Sequence, residues 1–256
     1  INMDVHQQIL IERKQYMLQL HNLKDQNIIK VITGVRRCGK STLLMMFAND
    51  IIKKGVDANQ IQFYNFEDLD ILSIGDIYQI HTHIKERLID DKMNYIFLDE
   101  VQNIKEFQRL VDSLYIKPNV DVYITGSNAY MLSGELATLL TGRYVEINIL
   151  PLQFSEYYHF TLSKSPNLSR NEILANYIHF GGIPEYIKQL NNSEKQADLF
   201  AQSILKTIVE KDIFQRLNIT NKHDFNKILD FILDSVGSYV SPRSISDTLR
   251  SNGTIV

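Results

Sequence analysis

Eight residues limit what this chain can fold into more than any other stretch. Gly34-Val35-Arg36-Arg37-Cys38-Gly39-Lys40-Ser41 follows the apolar run IIKVIT and precedes a segment, 40–54, with helical periodicity. Two glycines flanking four residues, then Lys-Ser, between a strand and a helix, form a loop whose backbone N–H groups turn inward around phosphates at the positive end of the helix dipole. There Lys40 is expected to reach the β- and γ-phosphates of a nucleotide and the Ser41 hydroxyl to ligate Mg²⁺, with Gly34 to Gly39 and Thr42 completing the cradle. The bland alternative is a glycine-containing strand-to-helix turn, but pattern and context coincide here.

The rest of the first half supplies the sheet that such a loop needs. Apolar segments at 28–33, 61–66, 95–99, 122–126 and 144–149 alternate with helical stretches at 40–54, 76–90, 104–117 and 130–140, an order that predicts an α/β fold with a parallel sheet. Ile77, Ile80, Ile84 and Leu88 recur at three- and four-residue steps, as one buried helix stripe requires. After Pro151 no further strand is evident, and helices are expected at about 153–160, 170–180, 184–190, 194–217, 222–237 and 242–251. A domain boundary is expected in the SKSPNLS stretch at 163–169, with Ser169 and Glu172 spaced as a capping box for the helix that follows.

Composition narrows the class. With 256 residues and 44% hydrophobic side chains the chain can bury a substantial core, and 5 prolines and 11 glycines fit a compact fold. No apolar run approaches the roughly 20 residues of a spanning helix, and the opening INMDVHQQILIERKQYM lacks the order of a signal peptide, so a cytoplasmic protein without a membrane role is expected. The single cysteine, Cys38, excludes an intrachain disulfide and a cysteine-rich zinc site. A net charge of −3 carries no global basic signature, so any nucleic-acid contact must come from a local patch.

A phosphate loop of this kind needs acids at the end of a second buried strand, and YIFLDE provides them: Asp99 to hold Mg²⁺ through water and Glu100 to polarise an attacking water. Alone, such a pair would more often be a solvated turn; its meaning comes from lying one strand-helix unit after the loop. TGSN, after the next strand, offers Asn128, and less favourably Ser127, to position that water or sense the γ-phosphate, although any turn of small polar residues looks the same. Arg36 and Arg37 are extra to the backbone cradle. One could approach the γ-phosphate, or the pair could dock on Glu67, Asp68 and Asp70 of NFEDLD, the arrangement favoured for at least one of them. Cys38 reads as a small filler rather than an activated thiol.

Taken together, TGVRRCGKSTLL, YNFED, IFLDEVQNI, YITGSNAYMLSGELATLLTGRYVEINILPLQFSEY and GGIPEYI resemble AAA-type P-loop ATPases of archaea and bacteria, related to the archaeal ATPase and signal-transducing ATPase branches. The resemblance implies a sheet of order 5-1-4-3-2, an all-helical lid and a winged-helix-like region. The matching domains are a P-loop core with an N-terminal helix at 1–163, the lid at 164–220 and the start of a winged-helix-like domain at 221–256. It implies ATP rather than GTP, and a second sensor in Gly182, Ile183 and Pro184, although GGIPEYI has no counterpart of the arginine many relatives carry there. Arg143, in LTGRYVEI, matches an arginine typical of the group. It is either a finger acting across a subunit interface or one half of an intramolecular ion pair.

The segment from 222 onward resembles the opening of a helix-turn-helix, with helices up to Gly253 and an expectation that the chain is part of a longer protein. Lys222, Arg243 and Arg250 are too few to separate DNA contact from a solvated face. The expectation is a Mg²⁺-dependent ATPase binding ATP and ADP, whose lid moves between bound states. The alternatives are a slow nucleotide-dependent switch acting through a homo-oligomer or protein partner, and an ATP-controlled DNA-binding protein.

Overall fold

The computed structural model describes residues 10–126, 140, 142–189, 194–214 and 217–251. The expected helix at 130–140, Ser127, Asn128 and Gly253 therefore lie outside the described residues, Leu140 excepted. The chain forms two compact units, 1–201 and 202–256.

The first unit opens with α1 (Lys14–Leu23), β1 (Ile29–Gly34) and α2 (Lys40–Lys53). It continues through β2 (Ile61–Asn65), α3 (Leu69–Leu72), α4 (Ile77–Lys85), β3 (Asn94–Asp99), α5 (Phe107–Tyr115), β4 (Val120–Thr125) and β5 (Tyr144–Ile149). All strand pairs are parallel, in the order β2-β3-β4-β1-β5, which is the expected 5-1-4-3-2 read from the other edge. Because successive side chains point to opposite faces, a sheet covered on both sides needs near-continuous apolar strands. Ile29, Val31, Ile96, Leu98, Val122 and Ile124 pack with α4 and α5 residues such as Ile80, Ile84, Leu110 and Leu114. Ile32, Tyr95, Phe97 and Tyr123 pack with Leu20, Leu43, Leu44 and Phe47 of α1 and α2 on the other face.

Some helices are shorter than periodicity predicts, for local reasons. The helix expected at 104–117 begins at Phe107 because Val101–Asn103 form a 3-10 turn and Glu106 takes a left-handed conformation, φ 59°. The helix expected at 194–217 ends at Thr207 (α9, Glu194–Thr207), and Ile208–Phe214 wind as a π-helix. Between β5 and α9 lie α6 (Phe154–Lys164), α7 (Arg170–Phe180) and α8 (Pro184–Gln189). Ser169 and Glu172 close the expected capping box of α7, and Leu152, Tyr157, Ile173 and Ile187 share a hydrophobic cluster with Ile11. The second unit includes α10 (Lys222–Asp234), capped by Asn221, and α11 (Pro242–Ser251). Among the described residues, no helix is long and apolar enough to cross a membrane.

One polar cluster lies within the otherwise apolar α1/α2 face. Lys30 of β1 donates to Asp121 Oδ1 of β4 at 2.5 Å and to Gln26 O at 2.8 Å, while Asp121 Oδ2 accepts from Tyr123 Oη at 2.9 Å and Asp25 N at 2.9 Å. Both partners are buried, and burial pulls the Lys30 ammonium down and pushes the Asp121 carboxyl up. Such a pair contributes little net stability but penalises any register that separates its members. It marks β4 as the neighbour of β1, the non-sequential pairing that defines this sheet. Asp121→Asn, which keeps an acceptor but strands the ammonium, is expected to cost about 3–5 kcal/mol in urea denaturation, and adding Lys30→Met to recover part of it. Simple additivity of the two changes would contradict the pairing argument.

Candidate functional site

The carboxyl ends of β1, β3 and β4 lie side by side, so the residues leaving them converge. Gly34 ends β1 with φ 148°, and a Cβ there would come within 2.4 Å of Ile149 O and 2.8 Å of Cys38 Sγ, so glycine is required both by conformation and by space. The loop then turns through a Cys38 N–H to Val35 O bond of 3.3 Å, and Gly39 starts α2 in the left-handed region, φ 98°. No side chain caps that helix start.

Lys40 is 5% exposed. Its Nζ donates to Gly34 O at 3.3 Å and stands 3.8 Å from Glu100 Oε1. Among the described residues its Nζ makes this one hydrogen bond, with the Glu100 and Asp99 carboxylates close by, so its remaining N–H donors are available to an anion in the loop. Ser41 hydrogen-bonds Asp99, whose carboxyl burial pushes above its ordinary value. The Ser41 hydroxyl and the Asp99 carboxylate are hard oxygen donors of the kind that suits Mg²⁺. Cys38 is fully buried and burial raises its thiol, which fits a packing role.

Glu100 adopts φ 54°, ψ 49°, a conformation that costs a non-glycine residue about 1–3 kcal/mol and is found preferentially at working sites. Gln102 Nε2 donates to its Oε2 at 2.5 Å. Thr125, the last residue of β4, secures both acids: its hydroxyl donates to Asp99 Oδ1 and accepts from Glu100 N at 3.0 Å. Thr125 is a site residue that sequence reasoning missed, because a threonine closing a strand carries no signal until the neighbouring strand is known.

Pro184 is brought to the loop, its Cγ 3.9 Å from where a Gly39 Cβ would stand, and with Ile11, Arg13, Leu43, Met46 and Leu152 it lines a narrow cleft beside Gly39 and Thr42. Gly182 meets Leu152 backbone to backbone, Leu152 N donating to Gly182 O at 2.7 Å, and a Cβ on Gly182 would fall 2.3 Å from Leu152 O. Arg37 holds its guanidinium 4.9 Å from the centre of the Phe200 ring, and Asp68, one of the acids expected near the arginines, caps α3. Val35 and Arg37 are exposed and Arg36 half-buried.

Arg143 is not brought to this cluster. It precedes β5 at the opposite end of the sheet, its carbonyl accepting from Ile29 N at 2.8 Å, whereas the loop leaves β1 at Gly34, about 16 Å further along the strand. Its side chain pairs with Asp112 and lies over the Tyr115 ring at 5.7 Å. In the second unit, Lys222 stands over Phe214 and Arg243 is 3.8 Å from Asp247.

A family model described as an AAA domain matches residues 26–158, just over half of the chain, and one described as a domain of unknown function matches 171–255. An uncharacterized protein of Haemophilus influenzae is 37% identical over 243 residues, covering 94% of this chain and 60% of the relative. An uncharacterized protein of Methanocaldococcus jannaschii is 28% identical over 235 residues, covering 89% and 51%. The chain thus spans only part of the length of these relatives. Among solved structures, a Walker-type ATPase of Pyrococcus abyssi, PABY2304, superposes with a TM-score of 0.63 at 18% identity, over 96% of this chain and 85% of that one, a likeness of fold.

Thr125→Val is expected to leave the Glu100 N–H without its acceptor and Asp99 without one of its donors, and to cost about 1–3 kcal/mol in urea denaturation, with Thr125→Ser costing less because the hydroxyl remains. Equal loss in the two variants would remove the bridging role.

Proposed function

This chain belongs to the AAA domain family, and on that premise we propose that it is a Mg²⁺-dependent ATPase converting ATP and water to ADP and phosphate. The observation that carries the reading is the convergence on one loop of a buried Lys40 that donates to a single neutral carbonyl, a Ser41–Asp99 pair and the left-handed Glu100.

Lys40 would hold the β- and γ-phosphates, aided by the uncapped N–H groups at the start of α2. Ser41 and Asp99 would hold Mg²⁺, which when bound draws charge off the phosphate oxygens. Glu100 would accept a hydrogen bond from the attacking water and orient it, its backbone fixed by Thr125 and one carboxylate oxygen by Gln102. Asn128 keeps its assignment as γ-phosphate sensor.

Two contacts support a lid that answers to the loop: Pro184 beside Gly39 and Phe200 beneath Arg37. In this reading the helices of 164–220 form the lid and 221–256 begins a winged-helix-like domain. Arg143 stands too far along the sheet to serve its own loop, so its role as a finger would be played toward a second copy of the chain, with Asp112 as its partner in the meantime. Contact with DNA has no comparable support among the described basic residues.

The test is ATP binding and turnover in three variants. Lys40→Ala is expected to lose binding. Glu100→Gln should bind ATP and turn it over about 10²-fold more slowly or worse. Arg143→Ala should bind normally yet lose about 10³-fold in turnover. Turnover untouched by Lys40→Ala would overturn the site, and normal turnover in Arg143→Ala would return that residue to a structural ion pair.

A further inference from the structure

Arg13 lies outside every motif the sequence offered, 25 residues before Cys38, and yet it touches the phosphate loop. It stands immediately before α1 with its side chain 6% exposed. Its Nε donates to Glu156 Oε1 of α6 at 2.9 Å, its Nη1 to the Cys38 carbonyl at 3.2 Å, and its Nη2 to the Leu150 carbonyl at 2.7 Å. The face of the guanidinium is 4.7 Å from the Tyr16 ring centre, and the Tyr16 hydroxyl accepts from Leu150 N at 3.1 Å. A rigid planar fork of five donors spread over three nitrogens reaches three diverging acceptors at once, whereas a lysine carries its three donors on a single nitrogen.

The contact with Cys38 has a consequence for the loop. A trans peptide is planar, with its C=O and the next N–H on opposite sides, so holding the Cys38 carbonyl toward Arg13 sends the Gly39 N–H the other way. Gly39, at φ 98°, is the residue of the loop whose backbone resists rotation of that plane least. If the plane turned over, a carbonyl would replace an N–H in the cradle, and the helix start would present a negative group to a phosphate.

We infer that Arg13 is a positioning residue for nucleotide binding: by holding the Cys38 carbonyl it keeps the Gly39 N–H turned into the phosphate cradle, and through Glu156 it ties that setting to α6. The inference rests on the ATPase reading. Arg13 directs its guanidinium N–H groups to Glu156, Cys38 and Leu150, so it acts through a cradle that bound substrate and transition state share, and its effect should fall on KM and not on kcat. Glu156 matters less, because Glu156→Gln preserves the capping box with Gln153 and leaves both carbonyl contacts of Arg13 in place.

The experiment measures affinity for MgADP and for inorganic pyrophosphate, which has no base, in the parent protein, Arg13→Gln, Arg13→Lys and Glu156→Gln, using variants whose far-ultraviolet circular dichroism matches the parent. Steady-state ATP kinetics are measured alongside. Arg13→Gln is expected to weaken both ligands by a similar factor of about ten, raising KM for ATP with kcat within about twofold, Arg13→Lys to lose less, and Glu156→Gln to stay within about twofold. Should Arg13→Gln fail to fold, the ratio between Arg13→Lys and the parent carries the test. Unchanged pyrophosphate affinity in the Arg13 variants overturns the inference and leaves the ATPase reading standing. A parent protein that binds neither ligand overturns both.

Discussion

A buried ammonium needs acceptors for its N–H donors, and the arrangement around Lys40 is organised by that requirement. Its nearest acceptor is the neutral Gly34 carbonyl, and the Glu100 carboxylate is 3.8 Å away. Asp99 acts on it as well, but among the described residues neither carboxylate accepts a hydrogen bond from this ammonium, which is 5% exposed. A phosphate chain held between the loop's N–H groups and this ammonium would supply those acceptors. The same group would bring Mg²⁺ to Ser41 and Asp99, whose carboxyl is held above its ordinary value by desolvation until a cation offsets it.

Rigidity around that point comes from features that are individually unfavourable. Glu100 is left-handed, and Gly34 is wedged against Ile149 where no Cβ fits. Each is tolerable only because the sheet is fixed from both faces. Lys30 and Asp121 hold β4 beside β1 at the far end of the strands, while the apolar clusters of α1 and α2 on one side and α4 and α5 on the other fix the rest. The site is placed by the sheet, and the strain it carries is supported by packing some distance away.

How much of this was legible depended on whether a residue's role is local. The loop from Gly34 to Ser41, the capping box of Ser169 and Glu172, and the five apolar strands are all written in short-range spacing, and the strand order followed from the resemblance those segments carry. Thr125, Arg13 and the Lys30–Asp121 pair were not legible, because each acquires its meaning from a partner between 25 and 143 residues away. An arginine at a helix start reads as solvated until the helix is seen to press it against the loop. The late start of α5 was hidden for another reason: Glu106 adopts a backbone conformation that its side chain does not advertise.

The most direct test of the account is steady-state release of phosphate from ATP by the unaltered chain, with Mg²⁺ present and then chelated. Saturable release that stops on chelation is the predicted result. No release above the uncatalysed background, or release indifferent to the metal, would contradict the assignment of Lys40, Ser41, Asp99 and Glu100 to a hydrolytic site.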